Sequence, residues 1–161
     1  MLKNIISKIE IFLVKKNSFN FILINFITLL LIVTPFIFLK YFLNISSINT
    51  IMANSSNLKQ FFVGVILGPI IETLIFQILV IKLVLIITNK KSIVIFSSAF
   101  IFGLTHYFSF FYFTYAFTVG LFFAYLYFLS ELKKINPFLT LLIVHSLYNL
   151  LIFLSFLFNI E

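Results

Sequence analysis

The most informative stretch of the chain is residues 61–81, which read FFVGVILGPIIETLIFQILVI. Glu72 lies near the middle of this apolar run, where a membrane-spanning helix would hold it close to the bilayer midplane. A carboxylate at that depth costs about 2.5–3.5 kcal/mol on insertion scales, so it is rare unless it faces a polar partner or a wet cavity. We therefore treat Glu72 as the first candidate for a functional residue.

The composition defines the class of protein. Hydrophobic residues make up 63% of the chain and charged residues 9%, with a mean hydropathy of +1.23, whereas soluble domains are about half apolar and one quarter charged. The apolar residues form long continuous runs, while barrel strands alternate apolar and polar residues. At about 20 residues per span, the length predicts an all-α integral membrane protein with about five transmembrane helices and an N-terminal amphipathic helix, in a single membrane domain over residues 1–161.

Charge and cysteine content exclude other classes of site and partner. The chain has no cysteine, which excludes disulfides, cysteine zinc sites and a thiol nucleophile. The formal charge of +7 is the balance of eleven lysines and four glutamates, and the lysines lie at segment ends, a pattern that indicates membrane orientation rather than nucleic-acid binding. The predicted contacts are therefore membrane lipid and no nucleic acid. With a cytoplasmic N-terminus in the cell membrane, eight lysines fall inside and two flank an outer loop: Lys3, Lys8, Lys15, Lys16, Lys90, Lys91, Lys133 and Lys134 against Lys40 and Lys59. Lys82 also falls on the inner side.

Apolar periodicity divides the chain into segments. Residues 1–16 are amphipathic, typical of either a helix on the membrane surface or a solvated lead-in. The first span is too long for a signal-peptide core and lacks a cleavage pattern, so it is expected to stay in the mature protein. Gly64 and Gly68 are expected to allow close approach of a neighbouring backbone. The predicted spans are 19–43, 58–87, 92 to about 106, one within 108–129, and 138–158, with a loop at 44–57 and a core that carries the candidate site at about 58–158.

Two histidines complete the candidate site. His106 and His145 lie in separate apolar segments, and Asn149 follows His145 by four residues, which places both on one helix face. A carboxylate in a low-dielectric setting can take a proton from water near neutral pH, as a general base must. Alternatively, each polar residue could be a hydrogen-bonding group between helices, and Thr73 with Gln77 a local polar pair.

The same residues leave the use of a metal open. Glu72, His106 and His145 are three acceptable zinc ligands with a vacancy for water. However, the local HExxH spacing of zinc proteases is missing. No cofactor is certain: zinc is one possibility, and a metal-free, glutamate-activated water is the interpretation that we favour.

Three short motifs resemble those of a known family. PIIETLIFQ at 69–77, FGLTH at 102–106 and HSLYN at 145–149 are similar to the motifs of the CPBP intramembrane proteases, which include CAAX prenyl-protein endopeptidases and bacterial proteins of bacteriocin processing and self-immunity. The resemblance implies that Glu72 activates the attacking water with His106 as its partner. It also implies that Asn149, with a histidine, stabilises the oxyanion.

The first motif departs from the family pattern E-E-x-x-x-R. Thr73 stands in place of the second Glu and Gln77 in place of the Arg, so we expect a neutral hydrogen-bonded pair instead of an ion pair. Thr73, Gln77 and Phe102 are the predicted supporting residues.

Three functions are compatible with these residues. The first is an intramembrane endopeptidase that cleaves a membrane-associated protein or peptide. The second is a non-catalytic membrane protein of bacteriocin self-immunity or peptide sequestration. A small proton-coupled transporter is the third, and no internal repeat supports it.

Overall fold

The computed structural model describes residues 2–45 and 55–158, with side chains from residue 6 onward, and over these residues it contains helices and no strand. The predicted all-α class is confirmed. Most of the predicted loop at 44–57 lies outside the described residues. The helices are α1 (Leu2–Val14), α2 (Ser18–Phe42), α3 (Asn57–Ile87), α4 (Lys91–Leu104), α5 (Phe110–Lys133) and α6 (Pro137–Leu157).

Among the described residues, four helices are long and apolar enough to cross a membrane, namely α2, α3, α5 and α6. The third predicted span corresponds to α4, which has only 14 residues and is about 21 Å long at 1.5 Å per residue. This is shorter than the roughly 30 Å of hydrocarbon in a bilayer. The chain turns after Leu104, so His106 lies in a turn and not within the predicted third span.

The N-terminal helix is tied to one end of the bundle. The Lys133 ammonium group donates to the Val14 carbonyl at 3.0 Å. The Glu10 carboxylate accepts from the Tyr125 hydroxyl at 3.0 Å and lies 3.4 Å from the Lys91 ammonium group. The end of α1, the start of α4 and the end of α5 therefore meet at the same end of the molecule, where Lys91 and Lys133 also lie.

Helix α5 is the centre of the packing, with ten buried residues. Small residues bring α4 very close to it. A Cβ atom added at Gly120 would lie 2.9 Å from Ala99 Cα, and one added at Gly103 would lie 3.1 Å from Phe117 Cβ. Small residues at a helix interface allow this approach, and dispersion contacts rather than the hydrophobic effect then hold the helices together in lipid.

Helix α3 is irregular in the region that carries Glu72. Residues Phe61–Leu67 and Glu72–Leu79 are π-helical, and one α-helical turn, Gly68–Ile71, joins them. The expectation that the missing side chains of Gly64 and Gly68 admit a neighbouring backbone is wrong, although α6 does contact this part of α3 through Asn149. A Cβ added at Gly64 would meet nothing within 4 Å, and one at Gly68 would meet the Val63 carbonyl of its own helix at 2.9 Å. Short π-helical segments are often found at functional sites.

The first prediction concerns the α4–α5 contact. Gly120→Ala forces a methyl group against the Ala99 backbone, so we expect the free energy of unfolding to fall by about 1–3 kcal/mol. Gly64→Ala is the matched control, because its Cβ meets open space and the better helix propensity of alanine should make it neutral or stabilising by up to about 1 kcal/mol. Thermal unfolding in one detergent measures both variants. Equal losses would contradict the packing described here.

Candidate active site

One cavity gathers the candidate residues. It has a volume of about 1040 Å³ and lies between α3, α6 and the turn that joins α4 to α5. Glu72, His106, His145 and Asn149 all line it. The structure thus brings together, in one concave space, the four side chains that the sequence singled out.

Both ring nitrogens of His145 face consecutive residues of α3. Its Nε2 lies 3.6 Å from Glu72 Oε2, and its Nδ1 lies 3.4 Å from Thr73 Oγ1. The histidine side chain is 6% exposed, whereas that of Glu72 is 28% exposed. A separation of 3.6 Å is too long for a direct hydrogen bond, so the Glu72 carboxylate keeps lone pairs for a water molecule in the cavity.

The hydrogen bonds of His106 fix its tautomer. Its Nδ1 lies 3.0 Å from the Phe102 carbonyl oxygen, which can only accept, so Nδ1 carries the hydrogen. The Thr105 hydroxyl donates to the same carbonyl at 2.7 Å and lies 2.9 Å from Nδ1. In the neutral ring, Nε2 therefore has a lone pair and acts as an acceptor.

Phe102 separates the two histidines. Its ring centroid lies 5.0 Å from that of His106 and 6.2 Å from that of His145, and the side chain is 3% exposed. Phe123 covers the other side of His145 at 4.9 Å. The backbone carbonyl of Phe102 therefore binds His106, and its ring packs near both His106 and His145.

The two substituted positions of the first motif do not pair with each other as expected. Gln77 is fully buried, its Oε1 accepts from the Ser98 hydroxyl at 2.8 Å, and its Nε2 has no hydrogen-bond partner among the described residues. Thr73 faces His145 instead. The physical reason is tertiary: the Ser98 hydroxyl on α4 donates to the Gln77 oxygen, and the Thr73 hydroxyl faces His145 on α6. Each side chain therefore contacts a different neighbouring helix.

Asn149 also contacts α3. Its Nδ2 donates to the backbone carbonyl of Gly64 at 2.8 Å, eight residues before Glu72. The polar face of α6 therefore contacts α3 through Asn149 as well as through His145.

Sequence reasoning assigned no chemistry to the tyrosines, yet Tyr112, Tyr115 and Tyr148 line the cavity. Tyr112 packs edge-on against His106 and is stacked on Tyr115. The hydroxyls of Tyr115 and Tyr148 hydrogen-bond to each other. Only one of the two hydrogens is used in that bond, so the other can bind a third group. Tyr148 could have been found from its position three residues after His145, which puts it on the same helix face.

The candidate metal ligands do not form a three-ligand set. Within residues 2–45 and 55–158, no three His, Cys, Asp or Glu side chains lie close enough together to hold a metal ion. Glu72 approaches His145, whereas His106, whose Nε2 lone pair is free, does not join them in a three-ligand cluster. The donor groups in this arrangement therefore do not fit a catalytic zinc ion, which takes three protein ligands.

The second prediction concerns the buried hydrogen bond between Ser98 and Gln77. Ser98→Ala removes the donor to Gln77 and leaves both ends of a buried amide without a partner, which should lower the free energy of unfolding by about 1–3 kcal/mol. Ser97→Ala is the matched control, since Ser97 lies one position away and is only partly buried. Thermal unfolding of the two variants measures the difference. If they unfold at the same temperature, the contact does not contribute to stability.

Comparison with known proteins identifies the family. A search of curated proteins and a search of solved structures each found no match. The family model described as type II CAAX prenyl endopeptidase Rce1-like matches residues 54–151, which is more than half of the chain and includes all three motifs. The chain therefore belongs to the type II CAAX prenyl endopeptidase family of membrane proteins.

Proposed function

We propose that this protein is an intramembrane endopeptidase that hydrolyses a peptide bond of a membrane-associated protein or peptide by means of a water molecule activated by Glu72. The observation that supports the proposal best is the cavity itself. A carboxylate, two imidazoles and an amide from three separate parts of the chain line one space of about 1040 Å³, which is enough for several residues of a peptide.

Glu72 and His106 have complementary roles in this proposal. The Glu72 carboxylate takes a proton from water, and the Nε2 lone pair of His106 accepts a hydrogen bond from the same water and orients it. The hydroxide adds to the carbonyl carbon, and the carbonyl electron pair moves to the oxygen. The oxyanion electron pair then re-forms the carbonyl as the C–N bond breaks and the proton held by Glu72 passes to the nitrogen, which leaves a carboxylic acid and an amine.

His145 is the proposed donor to the oxyanion. When the Thr73 hydroxyl donates to Nδ1, the neutral ring carries its hydrogen on Nε2. That atom lies 3.6 Å from Glu72 Oε2, beside the position where the water is activated. The His145 side chain is only 6% exposed, and a fixed donor that is shielded from solvent stabilises developing negative charge more than it would in water.

The apolar lining of the cavity suits a membrane-associated peptide as substrate. Many of the lining residues are apolar or aromatic, among them Phe108, Phe153 and Phe156, and such a wall suits a peptide that lies partly in lipid. The lysine-rich end formed by α1, α4 and α5 supports a cytoplasmic N-terminus by the positive-inside rule. Membrane lipid and a peptide or membrane-associated protein are the proposed partners.

The substituted first motif favours a second candidate. Thr73 and Gln77 replace two charged residues of the family pattern, and the loss of supporting charges can silence a site while the fold is kept. A non-catalytic protein of bacteriocin self-immunity or peptide sequestration would use the same cavity to bind a peptide without cleaving it.

The third prediction separates the two candidates. Purified protein in detergent or liposomes is incubated with a library of membrane-associated peptides, and the products are read by mass spectrometry. Glu72→Gln, His106→Ala and His145→Ala should each lower the cleavage rate by roughly 100-fold or more, because each removes a group of the water-activating or oxyanion-binding set. Glu131→Gln is the control for loss of a carboxylate outside the cavity and should retain the wild-type rate.

Cleavage that persists in all three cavity variants would reject the protease mechanism. Peptide binding without cleavage by the wild-type protein, unchanged in Glu72→Gln, would support sequestration instead.

The fourth prediction concerns metal dependence. Because the candidate ligands do not come together in a three-ligand set, we expect the cleavage rate to stay within about twofold after dialysis against a zinc chelator, whereas removal of a catalytic zinc abolishes activity. Elemental analysis of the dialysed protein should find less than one zinc per chain. Loss of cleavage that added zinc restores would show that the metal-free proposal is wrong.

A further inference from the structure

We propose that Asn149 is a positioning residue, whose side-chain amide replaces the N–H that Pro69 lacks and so holds the Glu72-bearing part of α3 against α6. The effect on catalysis rests on the proposed peptidase function. The contact itself does not, and it can be tested without any substrate.

The argument begins with the hydrogen-bond register of α3. In the π-helical segment Phe61–Leu67, the Gly68 N–H donates to the carbonyl of Val63, five residues back. In the same register the next carbonyl, that of Gly64, would accept from the N–H of residue 69. That residue is Pro69, which has no N–H to donate. The Gly64 carbonyl is therefore left without a donor in its own helix.

An unpaired Gly64 carbonyl would destabilise α3. Gly64 is only partly buried and lines the cavity, so without a protein donor its carbonyl would depend on water or lose a hydrogen bond, and either outcome lowers stability. Asn149 supplies the donor from the neighbouring helix, with its Nδ2 at 2.8 Å from the Gly64 oxygen. The amide thus completes the backbone hydrogen bonding of α3 at the point where proline interrupts it.

The same face of α6 contacts α3 a second time. His145 lies four residues before Asn149, and its ring nitrogens face Glu72 and Thr73. Two contacts from one face, at Gly64 and at residues 72–73, fix both the rotation of α3 and its position along α6. The Gly64 contact lies before Glu72 in the helix, whereas the contacts of His145, at 3.4 and 3.6 Å, and the Ser98–Gln77 hydrogen bond lie at or after it.

This role differs from direct oxyanion binding. The Asn149 amide nitrogen has two hydrogens, and the Gly64 carbonyl takes one of them. The nitrogen is thereby tied to the backbone of α3, so its main effect on the reaction acts through the placement of Glu72. Replacing Pro69 by alanine separates the two roles, because the new N–H satisfies the helix and cannot replace a donor to substrate.

The experiment is a double-mutant cycle between Asn149→Ala and Pro69→Ala, followed by thermal unfolding in one detergent. Asn149→Ala should lower the melting temperature by about 2–10 °C, since it leaves the Gly64 carbonyl unpaired. Pro69→Ala should raise the melting temperature more in the Asn149→Ala background than in wild type, because an alanine at position 69 restores a backbone donor to α3. An equal shift in the two backgrounds would overturn the proposal.

Asn25 provides the matched control for a general gain in helix stability. It is buried, and its Nδ2 also donates to a backbone carbonyl at 2.8 Å, that of Phe21 in its own helix. Pro69→Ala should shift the melting temperature of Asn25→Ala by the same amount as that of wild type. A rescue of Asn25→Ala as large as that of Asn149→Ala would count against a specific link between Asn149 and Pro69.

Activity distinguishes positioning from substrate contact. Asn149→Ala should lower kcat on the order of 10- to 100-fold with little change in KM, and Pro69→Ala in that background should restore a large part of kcat. Restored stability without restored kcat would reject the positioning role. If wild-type protein cleaves no peptide, the peptidase proposal fails, while the melting temperatures still decide whether the contact exists.

A measurement on the wild-type protein avoids any problem with variants that fail to fold. The chain has only four glycines, so carbonyl labelling with ¹³C-glycine gives a short list of signals in solid-state NMR. The Gly64 carbonyl carbon should show a dipolar contact with an asparagine side-chain ¹⁵N. Absence of that contact, in a sample where the other labels are visible, would overturn the proposal.

Discussion

The structure depends on the requirement that backbone and side-chain polar groups in a bilayer find partners inside the protein. Helix α3 is where that requirement is hardest to meet, because Pro69 removes a backbone donor and the π-helical register changes which carbonyl is left over. The solution joins helices: Asn149 bonds to Gly64 from α6, and Ser98 bonds to Gln77 from α4. The Gly64 carbonyl and the Gln77 amide would each destabilise the helix if unpaired. Their hydrogen bonds to α6 and α4 instead hold the Glu72 segment in place.

The cavity follows from the same constraint together with the shortness of α4. A 14-residue helix ends before it can cross the bilayer, and the turn after it brings His106 to the space beside α3 and α6. The hydrogen bond from His106 Nδ1 to the Phe102 carbonyl pairs a carbonyl near the end of α4. It also sets the tautomer of His106 and therefore fixes which nitrogen of His106 can accept a hydrogen bond.

Much of this arrangement could be predicted from apolar run length and rare polar residues. The first and last spans, predicted at 19–43 and 138–158, end within one residue of α2 and α6, because a bilayer fixes how long an apolar helix is. The partner of Asn149 could not be predicted. In an α-helical register Pro69 leaves the carbonyl of Val65 unpaired, and only the π-helical register moves the vacancy to Gly64. The Tyr115–Tyr148 contact was also missed, since it depends on how two helices pack and neither sequence segment shows it.

The departures in the first motif change the chemistry of the cavity more than its shape. Thr73 and Gln77 keep polar contacts to α6 and α4 without an ion pair, so the fold does not need the charges of the family pattern. A glutamate at position 73 would place a second carboxylate next to Glu72, and two neighbouring carboxylates share protons as a coupled pair. With threonine there, Glu72 is the one carboxylate that lines the cavity among the described residues. Within the part of the chain that the structure describes, carboxylate base chemistry in this cavity therefore falls to Glu72.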